Sequence, residues 1–190
     1  MVAELWEKVM DNFRESRTKK FKRFAQFFPK IGITANRMTF ISLCFGILAA
    51  YFLFRNHLWF VILGILHLLC DGLDGVIARY TQPTKFGKYF DFISDRIIAL
   101  LLMFQLFWYL QDYYVLITMA LMLITHGINL LTKFNNHSLY TRTIIVIGLF
   151  ISPLWSGFLI LTYLVIGIIS LYSLTLQFRR YLSTLPGRYS

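Results

Sequence analysis

The sequence predicts an all-α integral membrane protein with six transmembrane helices preceded by an N-terminal amphipathic juxtamembrane helix. Three observations predict it. Hydrophobic residues make up 57% of the 190 residues and aromatics 18%, too apolar for a soluble domain of this length. Six stretches approach the roughly 20 apolar residues that cross a bilayer. Lys and Arg collect in alternate connections between those stretches, as topology charges do.

Taken in order, residues 1–33 form the interfacial segment. Trp6, Met10, Phe13, Phe21, Phe24 and Phe28 recur there at near-helical spacing among Lys8, Arg14, Arg17, Lys19, Lys20, Lys22 and Arg23. This is the pattern of a helix lying in the membrane surface, with lipid anchoring as its simplest role. The first apolar stretch starts only at Met38, behind a long basic run, which is not a signal-peptide layout, so the N-terminus is expected to be retained. The membrane domain, 34–180, holds spans at 38–54, 58–78, 87–110, 113–131, 143–154 and 157–178. The fifth is short and ends near Pro153, so five spans are the alternative. Residues 181–190 read as a cytoplasmic tail.

The N-terminal segment, the second-to-third and fourth-to-fifth connections and the C-terminus hold nearly all the basic residues, while the opposite connections offer only Arg55. By the positive-inside rule both termini face the cytoplasm. Trp59, Trp108, Tyr109, Tyr113, Tyr114 and Trp155 cluster near span ends on the other side as an aromatic belt. The net charge of +10 sits beside hydrophobic spans, where anionic lipid headgroups are nearer partners than nucleic acid. Cys44 and Cys70 lie inside apolar segments and read as small buried hydrophobes. His67 and His126, with Asn129, lie on predicted spans and read as structural hydrogen-bonding groups.

Four of the nine acidic residues, Asp71, Asp74, Asp91 and Asp95, lie in or at the ends of two consecutive membrane segments. A carboxylate at the centre of a spanning helix costs about 2.5 to 3.5 kcal/mol on insertion scales, so four together require a cation or a water-filled cavity. Asp71 and Asp74 are three positions apart and Asp91 and Asp95 four, so each pair shares a helix face. A short connection makes the two helices antiparallel neighbours and lets the four converge. Hard oxygen donors suit Mg²⁺ or Mn²⁺, one ion or two. Gly72, Gly75, Ala78 and Gly87 nearby are small enough to admit a bulky ligand, or to pack helices closely. Arg79 and Lys85 fit either a pyrophosphate clamp or ordinary topology charges. A divalent-cation transporter also places carboxylates in the membrane, but its acids would be spread through the depth, and Arg79 would repel a permeating cation.

The run Asp71-x-x-Asp74-Gly75-x-x-Ala78-Arg79, then seven residues, then Gly87-x-x-x-Asp91-x-x-x-Asp95, resembles the signature of the CDP-alcohol phosphatidyltransferase family. A second segment, Thr34-Ala35-Asn36-Arg37-Met38-Thr39, is similar to that family's Pro-Asn-x-x-Thr segment with Ala35 in place of Pro. The resemblance implies a metal-dependent transfer of a phosphatidyl group, or its archaeal analogue, from a CDP-linked lipid to a small alcohol, releasing CMP at the cytoplasmic side. It implies metal on Asp71, Asp74, Asp91 and Asp95, with Asp95 also as general base. Gly75, Ala78, Arg79, Gly87, Asn36 and Thr39 would receive the CDP moiety, and a homodimer is the implied assembly. Lys133, Arg142 and Lys85 would meet an acceptor phosphate or serve as topology charges. The acceptor expectation is a phosphorylated polyol such as glycerol 3-phosphate, with serine, inositol phosphate and a second lipid as alternatives. Inositol phosphate ranks lower because an Arg-rich fourth-helix pattern is missing.

Overall fold

Four of the long helices begin where the sequence supplies a side-chain oxygen to their free N–H groups. In the computed structural model, Thr34 Oγ1 accepts from Arg37 N at 3.4 Å, Asn56 Oδ1 from Trp59 N at 3.2 Å, Thr84 Oγ1 from Gly87 N at 2.9 Å and Asp112 Oδ1 from Tyr114 N at 2.9 Å. Residues 22–81, 84–132 and 141–184 are described. They form α1 (Lys22–Lys30), α2 (Ala35–Phe52), α3 (His57–Thr81), α4 (Lys85–Leu110), α5 (Tyr113–Leu131), α6 (Thr141–Ile151) with a 3₁₀ turn at Ser152–Leu154, and α7 (Gly157–Thr184). No strand occurs among the described residues. Left-handed backbone at Gly32 (φ 78°) and Gln111 (φ 54°) follows the last residues of α1 and α4.

Four helices among the described residues are long and apolar enough to cross a membrane, at Ala35–Phe52, His57–Thr81, Tyr113–Leu131 and Gly157–Leu182. The expected count of six is therefore not reached by length and composition. In α4, Lys85, Lys88, Asp91, Asp95 and Arg96 occupy the first half, leaving 97–110 as its uncharged stretch, about 21 Å at 1.5 Å per residue. The fifth expected span is the shorter apolar helix at Thr141–Leu154, whose α-helical part breaks at the turn carrying Pro153. Of the segment 1–33 expected to form the amphipathic helix, residues 1–21 lie outside the described residues and residues 22–30 are helical as α1.

The chain divides into two compact units. The first comprises the described residues up to Leu48 together with Ile62–Asp95. Met38, Val76 and Ile77 are buried in it. There His67 Nδ1 meets Ser42 O at 2.9 Å while Ser42 Oγ donates to His67 O at 2.9 Å, tying α3 to α2 one turn before Asp71. His67 is thus a structural crosslink of the kind expected.

The second unit comprises Ala49–Val61 and the residues from Arg96 onward. Leu102, Leu106, Met122, Ile145, Leu149 and Ile166 are fully buried there, and α5 and α6 each pack on α7. A Cβ on Gly148 would collide with the Thr162 side chain, so glycine is what lets α6 approach α7. Asp112 Oδ2 accepts from the Tyr163 hydroxyl at 2.6 Å. That donor, and then the Tyr114 N–H, hold the Asp112 carboxyl below its ordinary 3.8. A depressed carboxylate contributes stability that is full above its unfolded value and lost as pH falls through the lower folded value. Tyr163→Phe is accordingly expected to lower the Tm of the detergent-solubilised protein at pH 7, and to lower it less at pH 3. An equal loss at both pH values would show that the bond does not depend on the carboxylate charge.

Candidate active site

The site is built within the first unit from α2, α3 and α4. Asp71 from α3 and Asp91 and Asp95 from α4 place one carboxylate oxygen each within 4.8 Å of one another, all three side chains half-buried. At that spacing each pair of charges repels by at least about 3 kcal/mol at an effective dielectric near 20, so the cluster is suited to hold positive charge. Three hard oxygen donors converging at the ends of apolar helices fit Mg²⁺ or Mn²⁺.

Asp74 does not join this group. It is buried, and its Oδ2 accepts from the Thr39 hydroxyl at 2.7 Å. The same hydroxyl lies 3.1 Å from Ala35 O, and its single proton favours the shorter, charge-assisted bond. The expected quartet is therefore a trio plus a fourth carboxylate held from α2. Three residues along a helix rotate a side chain by about 300°, so neighbours on one face still diverge by roughly 60°.

Beside Asp74 and Asp91 lies a cleft of about 380 Å³, within the size range of small-molecule sites. Five of the six residues expected to receive CDP line it: Asn36, Thr39, Gly75, Ala78 and Gly87. Arg79 does not. It sits exposed in the last turn of α3, outside the cleft lining. Thr34 and Thr84, the caps of α2 and α4, also line the cleft, so two helix N-termini face it with their partial positive charge.

Lys88 is the cleft's cation, and the sequence reading named Lys85 instead. The missed signal is helical phase. Lys88 stands three residues before Asp91 and shares its face, whereas Lys85 stands six before it, almost two turns away. Lys85 is exposed at the start of α4 and does not line the cleft. Lys133 lies outside the described residues. Arg142, expected to flank a loop, is buried in the second unit in the first turn of α6. The residue before it, Thr141, hydrogen-bonds His126 Nε2 at 3.1 Å. On α5 and α7, Gln177 Nε2 donates to Thr125 O at 3.2 Å, and Thr125 and Ser170 are buried with it.

Gly87 explains its own identity. A Cβ there would come 2.6 Å from Asn36 Oδ1 and 2.9 Å from Thr84 Oγ1, the oxygen that caps α4 at this same residue. Alanine is the better helix former by about 1 kcal/mol, but losing the cap costs about as much and Asn36 must also swing into the cleft. Gly87→Ala is therefore expected to leave Tm almost unchanged while raising KM for the CDP-linked donor expected from the sequence about tenfold, equivalent to ~1.4 kcal/mol. An unchanged KM would separate Asn36 and Gly87 from ligand binding.

The family model described as CDP-alcohol phosphatidyltransferase matches residues 32–178. An archaetidylinositol phosphate synthase of Pyrococcus horikoshii is 30% identical over 91 residues, 47% of this chain and 48% of the relative. The chain thus matches about half the length of that curated relative. Among solved structures, the chain resembles Mycobacterium tuberculosis phosphatidylinositol phosphate synthase with CDP-DAG bound, with a TM-score of 0.71 at 18% identity. That likeness covers 88% of this chain and 96% of the other, and at this identity it speaks for the fold.

Proposed function

The chain belongs to the CDP-alcohol phosphatidyltransferase family, and from that premise we propose that it transfers a lipid phosphoryl group from a CDP-linked lipid to inositol phosphate, releasing CMP. The observation that carries the reading is the meeting of Asp71, Asp91 and Asp95 beside a cleft lined by Asn36, Thr39, Gly75, Ala78 and Gly87. Among phosphorylated polyols, this reverses the order expected from the sequence, which put glycerol 3-phosphate first and ranked inositol phosphate lower. Within that class, the names of the Pyrococcus and Mycobacterium relatives favour inositol phosphate over glycerol 3-phosphate.

Asp71, Asp91 and Asp95 would hold Mg²⁺ or Mn²⁺, with Asp74 reaching it on release from Thr39. When bound, the metal supplies Lewis acidity toward the pyrophosphate oxygens. Gly75, Ala78 and Gly87 leave the cleft open to cytidine diphosphate, and Lys88 with the two capped helix N-termini draws its negative charge. Asp95 accepts the proton of the attacking acceptor hydroxyl, which forms its bond to phosphorus as the bond to the CMP oxygen breaks. Arg79 is the further cation proposed for the donor phosphates, and Lys85 that for the acceptor phosphate. Six crossings, an interfacial N-terminal helix, a homodimer, and termini and active site on the cytoplasmic side belong to the same proposal, supported by the one-sided basic residues.

The test is CMP release by purified protein from CDP-diacylglycerol and from its archaeal ether analogue, offered inositol phosphate, glycerol 3-phosphate, serine or no acceptor, with Mg²⁺ or Mn²⁺. Release dependent on inositol phosphate is the expected result. Release supported by another acceptor alone would keep the transferase and reassign its product.

A further inference from the structure

Within the second unit, the end of α2 and the last turns of α4 enclose a cleft of about 570 Å³ that plays no part in the chemistry above. Its lining includes Tyr51, Phe54, Arg55, Gln105, Trp108 and Tyr109. The Phe54 and Tyr109 rings stack in parallel, with centroids 4.1 Å apart and planes 4° apart, and make a flat apolar wall. Arg55 brings a full charge to this setting. It is the only Lys or Arg between Arg37 and Arg79. Its guanidinium carbon lies 3.8 Å from the Tyr51 ring centroid, and it pairs with no carboxylate among the described residues.

A guanidinium resting on a ring contacts it through its face, which leaves its in-plane N–H fork for an oxyanion. Phosphate fits that fork in two-point fashion, and the Gln105 amide adds a donor beside it. The ligand must also be amphiphilic. Tyr51, Trp108 and Tyr109 are each more than half exposed, on helices of strongly apolar composition, and amphipathic rings of this kind settle at headgroup level. A soluble phosphate would leave the stacked wall unused.

We propose that this cleft holds the headgroup phosphate of an anionic phospholipid drawn from the surrounding bilayer, as a bound lipid distinct from the substrate. The full chain, purified in mild detergent, is offered phosphatidylglycerol or phosphatidylcholine with matched acyl chains, and retained lipids are counted by native mass spectrometry. Wild type is expected to hold one more phosphatidylglycerol than Arg55→Gln, whose occupancy of that lipid falls about fivefold. Arg55→Lys, which keeps the charge, should retain the lipid in part, and Arg180→Gln, which removes a basic residue outside the cleft, should retain it fully. Free glycerol phosphate should not displace it. The proposal is overturned if Arg55→Gln, folded with an unchanged Tm in zwitterionic lipid, retains as much phosphatidylglycerol as wild type. It is equally overturned if Arg55→Gln changes only the oligomeric mass, which would make the cleft a contact between copies of the chain.

Discussion

Asp95→Asn is expected to lower CMP release by about three orders of magnitude while leaving CDP-lipid binding within about twofold of wild type. General-base removal alone costs 10²- to 10⁴-fold, and Asp95 is also one of the three carboxylates whose oxygens lie within 4.8 Å. Asparagine keeps the shape of the half-buried side chain, so the helix and its packing survive and the loss falls on the chemistry. The cleft proposed to receive CDP is lined by Asp74 and Asp91 but not by Asp95, which is why donor binding should be spared. Equilibrium binding of the CDP-lipid, measured beside turnover, separates the two. A variant that turns over within tenfold of wild type would remove Asp95 from the reaction and pass the base role to another carboxylate.

Asp71→Asn is expected to move stability in opposite directions with and without divalent ion. Without it, the substitution removes one of three mutually repelling charges and should raise Tm. With saturating Mn²⁺, wild type gains stability by mass action, as RT ln(1 + [L]/Kd), and the variant gains much less because one oxygen donor has lost its charge. Turnover should fall by at least about 100-fold, in line with losing about 3 kcal/mol of transition-state stabilisation. Thermal melts of both proteins across a Mn²⁺ titration report this independently of activity. If saturating Mn²⁺ raises the Tm of the variant as much as that of wild type, Asp71 is not a metal ligand.

Much of this site is legible along the chain because its geometry is local. The spacings between Asp71 and Asp74 and between Asp91 and Asp95 are set by one helix each, and Gly75, Ala78 and Gly87 open the same faces, so the cleft lining follows from periodicity. The caps were legible in principle too. Thr34 and Thr84 each stand one residue before a helix that opens on the site. Lys88, unlike Lys85, shares the face of Asp91, which is a matter of helical phase and not of proximity along the chain. The six-span count is not reached by length and composition for another reason. Hydropathy averaged over a window hides where the charges sit, and in α4 they crowd into one half.

The sequence by itself determined the membrane character, the order of helices and the family, since each depends on composition or on spacing within one or two helices. Only the tertiary structure decided that Asp71 meets Asp91 and Asp95 while Asp74 is held 35 residues away by Thr39, that Asn36 lies against Gly87, and that Arg142 is buried. The physical reason is common to all three. Helical periodicity fixes the direction of a side chain about its own axis. Which groups meet across two helices depends on their rotation and depth against each other, and these are set by the packing of many side chains that no local pattern records.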